Sequence, residues 1–264
     1  MNYKFTFNIQ PGAQRTDARS SAAAVGAGEN NPAAVTAAEN WDRLAAADAM
    51  WTVLTDPAKA GGKWAPDEFF ATGASVLARI DEIERLGVKL SRNVAVDFGC
   101  GIGRVSRWLA KCFSHVVGVD ISAKMLELGE THKEPGAGIT FVLGNESNIP
   151  LASSSADFIH SVIVLQHIPR SLQRLYLKEF TRIVRPGGTL YFQTPSAGVY
   201  TNQSSFRTNV QTPGGPAAME LHTFPRSEIE SLLSENGCDL IQVRDDDSCG
   251  PGIRSFFYVA QRRR

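Results

Sequence analysis

The residues best suited to chemistry lie in one short segment, where an acidic side chain precedes three alternate glycines. Asp97 is followed by Gly99, Gly101 and Gly103. Glycine permits a tight turn and lets a ligand lie against bare backbone, and the start of the following helix offers free N–H groups. The carboxylate of Asp97 would repel a pyrophosphate but can accept hydrogen bonds from an amino group. The segment therefore predicts a site for a ligand that carries an amino group.

The glycine spacing separates two classes of adenosine-containing cofactor. The dinucleotide pattern GxGxxG requires glycine at position 104, where this chain has Arg104. S-Adenosylmethionine has an α-amino group and a sulfonium but no phosphate, so the charge of Asp97 favours it over NAD. A strand, turn and helix that bind no ligand are the alternative.

A second carboxylate ends the next apolar stretch, which runs from His115 to Val119. At the end of a strand, Asp120 can accept hydrogen bonds from both ribose hydroxyls, as acidic residues do in other ribose-binding folds. It could instead cap the next helix, a role for which Ser122 competes. The preceding glycine turn, at the expected separation, favours the ribose role.

Further motifs follow the glycine turn in order along residues 90–195. They read VDFGCGIG at 96–103, GVDIS at 118–122, GNESNIPL at 144–151, ADFI at 156–159, VLQHI at 164–168 and RPGG at 185–188. This order resembles the class I S-adenosylmethionine-dependent methyltransferases, in particular the broad family that includes ubiquinone and menaquinone biosynthesis methyltransferases. The resemblance implies a Rossmann-like fold, S-adenosyl-L-methionine as cofactor and methyl transfer (EC 2.1.1). It implies little about the acceptor.

Carried onto this chain, the resemblance implies a role for each matching residue. Asp97 and the backbone of the turn would hold the methionine moiety, and Asp120 would bind the ribose. The other implied contacts are Cys100 and Gly103 in the turn, Ile121 and Met125 beside the adenine, Asn145 and Glu146 at its edge, Val162 facing the methionyl chain, Gln166 lining the same pocket, and Phe70 and Gly73 closing over the cofactor from the N-terminal side.

His167 is the candidate catalytic residue, because it follows a predicted strand near the point where a methyl group would emerge. It could act as a base or orient the acceptor. Methyl transfer mainly requires alignment and exclusion of water, and it requires a base only if the nucleophile must lose a proton early. A structural histidine bonded to nearby backbone is the alternative. His222 is a second candidate with weaker support.

Alternating strands and helices must position these residues. From residue 91 to 264 the pattern predicts an α/β, doubly wound, Rossmann-like domain with a seven-stranded, mostly parallel sheet, including a helix over 103–113. Residues 37–90 are predicted to form an N-terminal helical cap. Residues 1–36 are predicted to form a short strand and a flexible linker.

Residues 196–222 are polar and rich in glycine and proline, which predicts a loop-rich insert that contributes to the acceptor pocket. Tyr200 and Phe206 in this insert, with Trp51 and Trp64 in the cap, could form an apolar acceptor pocket. Ordinary packing of these aromatic side chains is the alternative.

Composition excludes some classes of function. Lysine and arginine number 27 and aspartate and glutamate number 27, so no net charge attracts nucleic acid or an anionic membrane. The absence of a long apolar stretch and of a secretory signal predicts a cytoplasmic protein. The four cysteines form no CxxC pair, which predicts free thiols and no metal site.

The predicted function is methyl transfer to oxygen, nitrogen or carbon of a small-molecule acceptor. Two alternatives remain open, a peptide or protein methyltransferase and a protein that binds S-adenosylmethionine without methylating. A nicotinamide-dependent dehydrogenase is disfavoured by Asp97 and Arg104. The sequence predicts no particular oligomeric state.

Overall fold

The computed structural model describes residues 35–198, 205–212, 215–246, 249 and 253–264. The predictions for residues 1–34 and for Tyr200 lie outside these ranges. The strands are β1 Val94–Phe98, β2 His115–Asp120, β3 Ile139–Leu143, β4 Ala156–Ser161, β5 Val184–Gly198, β6 Ser205–Thr212, β7 Gly215–His222, β8 Cys238–Asp246 and β9 Ile253–Arg262. The helices are α1 Ala37–Val53, α2 Pro66–Ala71, α3 Ser75–Arg85, α4 Ser106–Leu109, α5 Ala123–His132, α6 Arg170–Ile183 and α7 Arg226–Glu235, with 3-10 turns at Pro57–Lys59, Thr72–Ala74 and Leu165–His167.

Seven strands form the central sheet in the order β3-β2-β1-β4-β5-β9-β8. The pairs β1–β2, β2–β3, β1–β4 and β4–β5 are parallel, whereas β9 is antiparallel to both neighbours. The predicted seven-stranded, mostly parallel sheet is therefore confirmed. The strand order reverses between β1 and β4, and in open α/β sheets ligands bind outside the carboxyl ends of the strands at such a point.

Helices cover both faces of the sheet, which confirms the doubly wound class. Successive strand residues point to opposite faces, so Leu190 and Phe192 pack on one side and Tyr191 on the other. Helices α6 and α7 contribute to the first core, and α3 and α4 contribute to the second. Both faces are apolar because the parallel strands are buried on both sides.

The predicted helix over 103–113 is confirmed only in its middle and is wrong at both ends. The chain makes turns through Val105, and α4 occupies only Ser106–Leu109. Gly103 has a φ of +81°, a left-handed conformation that cannot continue a right-handed helix. The glycine turn is consequently longer than its sequence suggests.

The loop predicted for residues 196–222 is also wrong where the structure describes it. Strand β5 continues to Gly198, and β6 and β7 form an antiparallel two-stranded hairpin. Ala217 and Met219 of β7 are buried in a cluster with Leu44 of α1. Small and polar residues along both strands weaken the alternation that would have indicated strands.

Helix α1 begins with a capping box and bends in its second half. The Thr36 hydroxyl accepts a hydrogen bond from the Glu39 backbone, and the Glu39 carboxylate accepts from the Thr36 backbone. At the bend, the Asp48 carboxylate accepts from the backbone of Trp51 at 3.1 Å and of Gly62 at 2.7 Å. These bonds hold the bend of α1 against the segment that follows the helix. Within the described ranges, no helix is long and apolar enough to cross a membrane.

Candidate active site

A cavity of about 1180 Å³, including its open mouth, lies at the carboxyl ends of β1, β2 and β4. Its position is the reversal point of the strand order, where α/β sheets bind ligands. The predicted site residues that line it are Asp97, Gly99, Cys100, Gly101, Asp120, Ile121, Met125, Asn145, Glu146, Val162 and His167. The fold thus brings eleven residues from separate motifs to one opening.

The glycine turn is held between two side chains that leave no room for a Cβ atom. Gly99 has a φ of +72°, and a Cβ there would lie 2.3 Å from Cγ1 of Val164. Gly101 has a φ of +53°, and a Cβ there would lie 2.9 Å from Cγ2 of Val53. The backbone of Gly99 donates to the Val119 carbonyl at 2.7 Å, which ties the turn to β2. Bare backbone at the cavity is therefore required by packing as well as by conformation.

Asp97 is almost completely buried at the floor of the cavity, with an exposed fraction of 3%. Its Oδ2 accepts from the Ser106 hydroxyl at 2.6 Å. Its Oδ1 lies 2.9 Å from Nδ1 of His160, which also lines the cavity. Sequence reasoning missed His160, although a histidine inside an apolar strand was a usable signal. The structure places it directly across from Asp97 in the register of β1 and β4.

Asp120 braces the glycine turn from the adjacent strand. Its Oδ2 accepts from the Gly101 backbone at 2.8 Å, and its Oδ1 accepts from the Ser122 backbone at 2.9 Å. Desolvation raises the pKa of this carboxyl to about 6, against the lowering effect of these backbone donors. The cap of α5 is instead the Ser122 hydroxyl, which accepts from the Met125 backbone at 3.0 Å. Since a carboxylate has about four acceptor positions, Asp120 retains capacity for a further donor from the cavity.

The segment after β3 forms the next part of the wall. The Asn145 side chain is used within its own loop, where its Oδ1 accepts from the backbone of Ser147 and of Asn148, both at 2.9 Å. The Glu146 carboxylate accepts from the Ala37 backbone at 3.3 Å. This contact brings the first turn of α1 to the cavity.

Helix α1, part of the predicted cap, closes the cavity through residues that sequence reasoning did not name. Ala37, Trp41, Thr52 and Val53 all line the opening. The Trp41 ring meets the ring of His167 edge-on at a centroid distance of 5.4 Å. No local motif marks these residues, because their function as wall residues depends on where α1 docks.

Polar contacts fix that docking at two places. The Asp42 carboxylate accepts from the Ser122 hydroxyl at 2.5 Å and from the Lys124 backbone at 3.0 Å. The Asn40 amide donates to the Ala218 carbonyl and accepts from its N–H, both at 2.8 Å. Helix α1 is thereby joined to α5 on one side and to β7 on the other.

Two predicted cap residues lie away from the cavity. The Phe70 ring packs under the Arg107 guanidinium, whose carbon is 4.0 Å from the ring centroid. Gly73 lies against α4, and a Cβ there would be 2.2 Å from the Arg104 carbonyl and 2.8 Å from Trp108. Both residues therefore pack behind the glycine turn.

Four more predicted residues also lie outside the cavity lining. Gly103 faces the Phe141 ring, which a Cβ would approach to 2.8 Å, and Gln166 is completely buried. The indoles of Trp51 and Trp64 donate to the carbonyls of Asp56 and Leu54, respectively. Trp64 packs in a cluster with Ile102 and Met125, and Trp51 packs against the cluster of Leu44, Ala217 and Met219.

His167 has both ring nitrogens in hydrogen bonds. Its Nδ1 lies 2.6 Å from the Glu220 carbonyl, and its Nε2 lies 3.2 Å from Nε2 of Gln166. Desolvation lowers its pKa to about 4, against the raising effect of the Glu220 carbonyl, and the nearby charge of His222 lowers it further. His167 is therefore neutral at pH 7. His222 does not line the cavity, and its Nε2 lies 2.9 Å from the Glu220 carboxylate.

Comparison with known proteins identifies the middle of the chain. Residues 96–192 match the family model described as a methyltransferase domain. The malonyl-[acyl-carrier protein] O-methyltransferase of Pectobacterium atrosepticum is 36% identical over 106 residues, 39% of each chain. The ubiquinone biosynthesis O-methyltransferase of Methylococcus capsulatus is 30% identical over 134 residues, 50% of this chain and 55% of the relative. The chain thus spans about half or less of the length of these curated relatives.

Solved structures share the fold over most of the chain. An S-adenosylmethionine-dependent methyltransferase from Methanosarcina mazei is 25% identical with a TM-score of 0.55, covering 66% of this chain and 94% of its own. The CcbJ methyltransferase of Streptomyces caelestis is 17% identical with a TM-score of 0.60, covering 84% and 99%. These matches confirm the predicted fold and the family resemblance drawn from the motifs.

Proposed function

Since residues 96–192 form a class I S-adenosylmethionine-dependent methyltransferase domain, we propose that this protein transfers a methyl group from S-adenosylmethionine to a small-molecule acceptor. The observation that carries the proposal is the pairing of Asp97 and Asp120 at one cavity, with bare glycine backbone between them. This site has two carboxylates and lacks the phosphate-binding glycine at position 104, so it suits a cationic nucleoside that carries an amino acid better than a dinucleotide.

The residues at the cavity fit the donor group by group. Asp120 has acceptor capacity left for the ribose. Asp97 and the backbone of Gly99 and Gly101 would hold the methionine moiety. Ile121 and Met125 offer an apolar wall to the adenine, with Asn145 and Glu146 at its edge and Val162 beside the methionyl chain.

The protein's own residues would then hold the cofactor, align it with the acceptor and exclude water from both. When bound, the cofactor supplies a methyl group activated by a positively charged sulfur. Asp97 is fixed by Ser106 and His160, so its negative charge is positioned before any ligand arrives. Helix α1 covers the opening with Trp41 and Val53 and excludes water from the site. Phe70, Gly73 and Gly103 would act indirectly, by supporting the turn from behind.

The acceptor side of the cavity favours a ligand with an apolar part. Ile163, Val164, Ile168 and Leu172 line the opening together with Trp41. The relatives named above are O-methyltransferases for ubiquinone biosynthesis and for a malonyl group on acyl-carrier protein. We propose an acceptor of this general kind, a metabolite that is free or carried as a thioester, methylated on oxygen, nitrogen or carbon.

We also propose that the enzyme works in the cytoplasm. All four cysteines, Cys100, Cys112, Cys238 and Cys249, are free thiols, which are typical of a reducing compartment. The balanced charge supports a partner that is neither nucleic acid nor membrane.

Calorimetry with S-adenosylmethionine and with NAD tests the donor. We expect binding of the first and not of the second, and the reverse result would refute the proposal. Incubation of the protein and methyl-labelled S-adenosylmethionine with a metabolite extract and with a protein extract tests the acceptor. Label in small molecules supports the proposal, label in polypeptides makes the protein a peptide or protein methyltransferase, and binding without any transfer makes it a non-methylating cofactor-binding protein.

A further inference from the structure

A continuous chain of buried polar groups lies behind the cavity wall. Gln193 of β5, Cys249 and Gln166 are completely buried. Oε1 of Gln193 accepts from the Ile163 backbone at 3.2 Å, and Nε2 of Gln193 lies 3.0 Å from Sγ of Cys249. That sulfur lies 3.0 Å from Oε1 of Gln166, whose Nε2 lies 3.2 Å from Nε2 of His167. The chain joins strand β5 to the edge of the cavity.

One end of this chain determines the direction of its hydrogen bonds. The Ile163 backbone N–H can only donate, so Gln193 must present its oxygen there and its NH₂ to Cys249. The thiol therefore accepts from Gln193 and donates to the oxygen of Gln166. Only the NH₂ of Gln166 remains for the next contact, and an NH₂ group donates.

The other end leads to the same assignment independently. The Glu220 carbonyl can only accept, so Nδ1 of His167 carries a hydrogen and Nε2 does not. Nε2 is then the acceptor that the Gln166 NH₂ requires. Each contact along this series of side chains thus pairs a donor with an acceptor, as a stabilising buried network requires.

The segment held by this chain contains an unusual backbone conformation. Ile163 has a φ of +62°, which a β-branched residue rarely adopts, and it lines the cavity. Its neighbour Val164 is the side chain that a Cβ at Gly99 would meet. Such conformations persist where surrounding structure holds them, and they concentrate at functional sites. Gln193 holds this one through the Ile163 N–H.

We propose that Gln193, Cys249 and Gln166 are positioning residues that fix the cavity edge formed by residues 163–167. His167 belongs to this edge as a neutral, hydrogen-bonded wall residue and takes no proton from the methyl acceptor. The catalytic meaning of this inference rests on the proposed methyl transfer. The hydrogen-bond pattern itself does not.

The surroundings of His167 oppose protonation. A proton on Nε2 would displace the hydrogen bond from Gln166 and leave a buried amide without its acceptor. The groups that face the ring are Trp41 of α1, the Gln166 amide, the Glu220 carbonyl of β7, and His222, whose side chain is hydrogen-bonded to the Glu220 carboxylate and would repel an imidazolium when protonated. None of these groups supplies the negative charge that a catalytic imidazolium would need.

Nitrogen-15 NMR of histidine-labelled protein tests the pattern directly. The protein contains five histidines, and the signal lost in His167→Asn identifies residue 167. We expect a neutral imidazole with hydrogen on Nδ1, unchanged between pH 5.5 and 8. Hydrogen on Nε2 at pH 7, or a titration near the ordinary histidine value of about 6.5, would overturn the inference.

Two variants at one position test the coupling. Cys249→Ser keeps a group that donates and accepts, whereas Cys249→Ala interrupts the chain. We expect the alanine variant to shift the His167 nitrogens and to weaken binding of S-adenosylhomocysteine about threefold to thirtyfold, as changes remote from a ligand commonly do. The serine variant should stay within about twofold of the original protein. Gln193→Met interrupts the same chain if Cys249→Ala fails to fold.

The outcomes separate this inference from the proposed function. If the original protein does not bind S-adenosylhomocysteine, the proposed function fails, and the NMR result still decides the hydrogen-bond pattern. If it binds, and a folded Cys249→Ala leaves both the affinity and the His167 signals unchanged, the function stands and the positioning role is wrong.

Discussion

The two sides of the cavity hold their residues in different ways. On the donor side, bonds between residues close in sequence fix charged groups around the glycine turn, and His160, 63 residues from Asp97, adds a longer-range bond. Asp120 and Gly101 are 19 residues apart, and Asp97 and Ser106 are nine apart. On the acceptor side, bonds between distant segments fix an apolar wall. Asn40 and Ala218 are 178 residues apart. A local charged site can keep one ligand constant, whereas an assembled apolar wall can change with the segments that form it.

The largest expected effect comes from a substitution that removes a charge from the donor side. Asp120→Ala should weaken S-adenosylhomocysteine binding by about 30-fold to 200-fold, since it removes the acceptor for the ribose and a brace on Gly101. Calorimetry at pH 8 measures the change. The matched control is Asp239→Ala. Asp239 lies on β8, outside the cavity lining, and forms an exposed ion pair with Arg263, so its loss removes a carboxylate without touching the site. Equal affinities of the two variants would remove Asp120 from the site.

The next effect tests the space around the turn. Gly99→Ala places a Cβ 2.3 Å from Val164 at a φ of +72°, so we expect a loss of about 2–4 kcal/mol in the free energy of unfolding. Gly87→Ala is the control, since Gly87 has a φ of +87° but nothing within 4 Å, and it should lose only about 1 kcal/mol. Urea unfolding compares them. If both variants lose the same amount, packing against Val164 does not restrict the turn.

A pH series of binding measurements tests the role of Asp120 on the donor side. The pKa of Asp120 is raised to about 6, and the ionised form is the one that accepts from the ribose. Affinity for S-adenosylhomocysteine should therefore be full above pH 7 and should fall as the pH drops, by about tenfold at pH 5 relative to pH 8. Asp120→Asn should bind more weakly with no slope over this range. A slope that survives in Asp120→Asn belongs to another group and contradicts the assignment.

The same contrast explains what the sequence could predict. The sequence predicts four residues that line the cavity, because each lies at or just after the end of a strand that its apolar residues reveal. They are Asp97, Gly99, Gly101 and Asp120. The seven-stranded sheet is predicted by the alternation of strands and helices along the sequence.

The acceptor side could not be predicted in this way. Trp41 reaches the cavity only because α1 docks on α5 and β7, and nothing in the sequence of α1 specifies that docking. The contribution of Cys249 depends on its contact with Gln166, 83 residues away. The expected cap residue Phe70 packs behind α4 instead. Long-range contacts thus account for most of what was missed.

The smallest effect tests whether the acceptor wall is separable from the donor site. Asn40→Ala removes both bonds to Ala218 and should cost about 1–2 kcal/mol in the free energy of unfolding. Because these bonds join α1 to β7 and do not touch the glycine turn, S-adenosylhomocysteine affinity should change by less than about threefold, while KM for the acceptor rises. Asn93→Ala, which removes one exposed side-chain bond to Ser91, is the control. A large loss of donor affinity in Asn40→Ala would show that the wall and the donor site fold as one unit, and the contrast between the two sides would then fail.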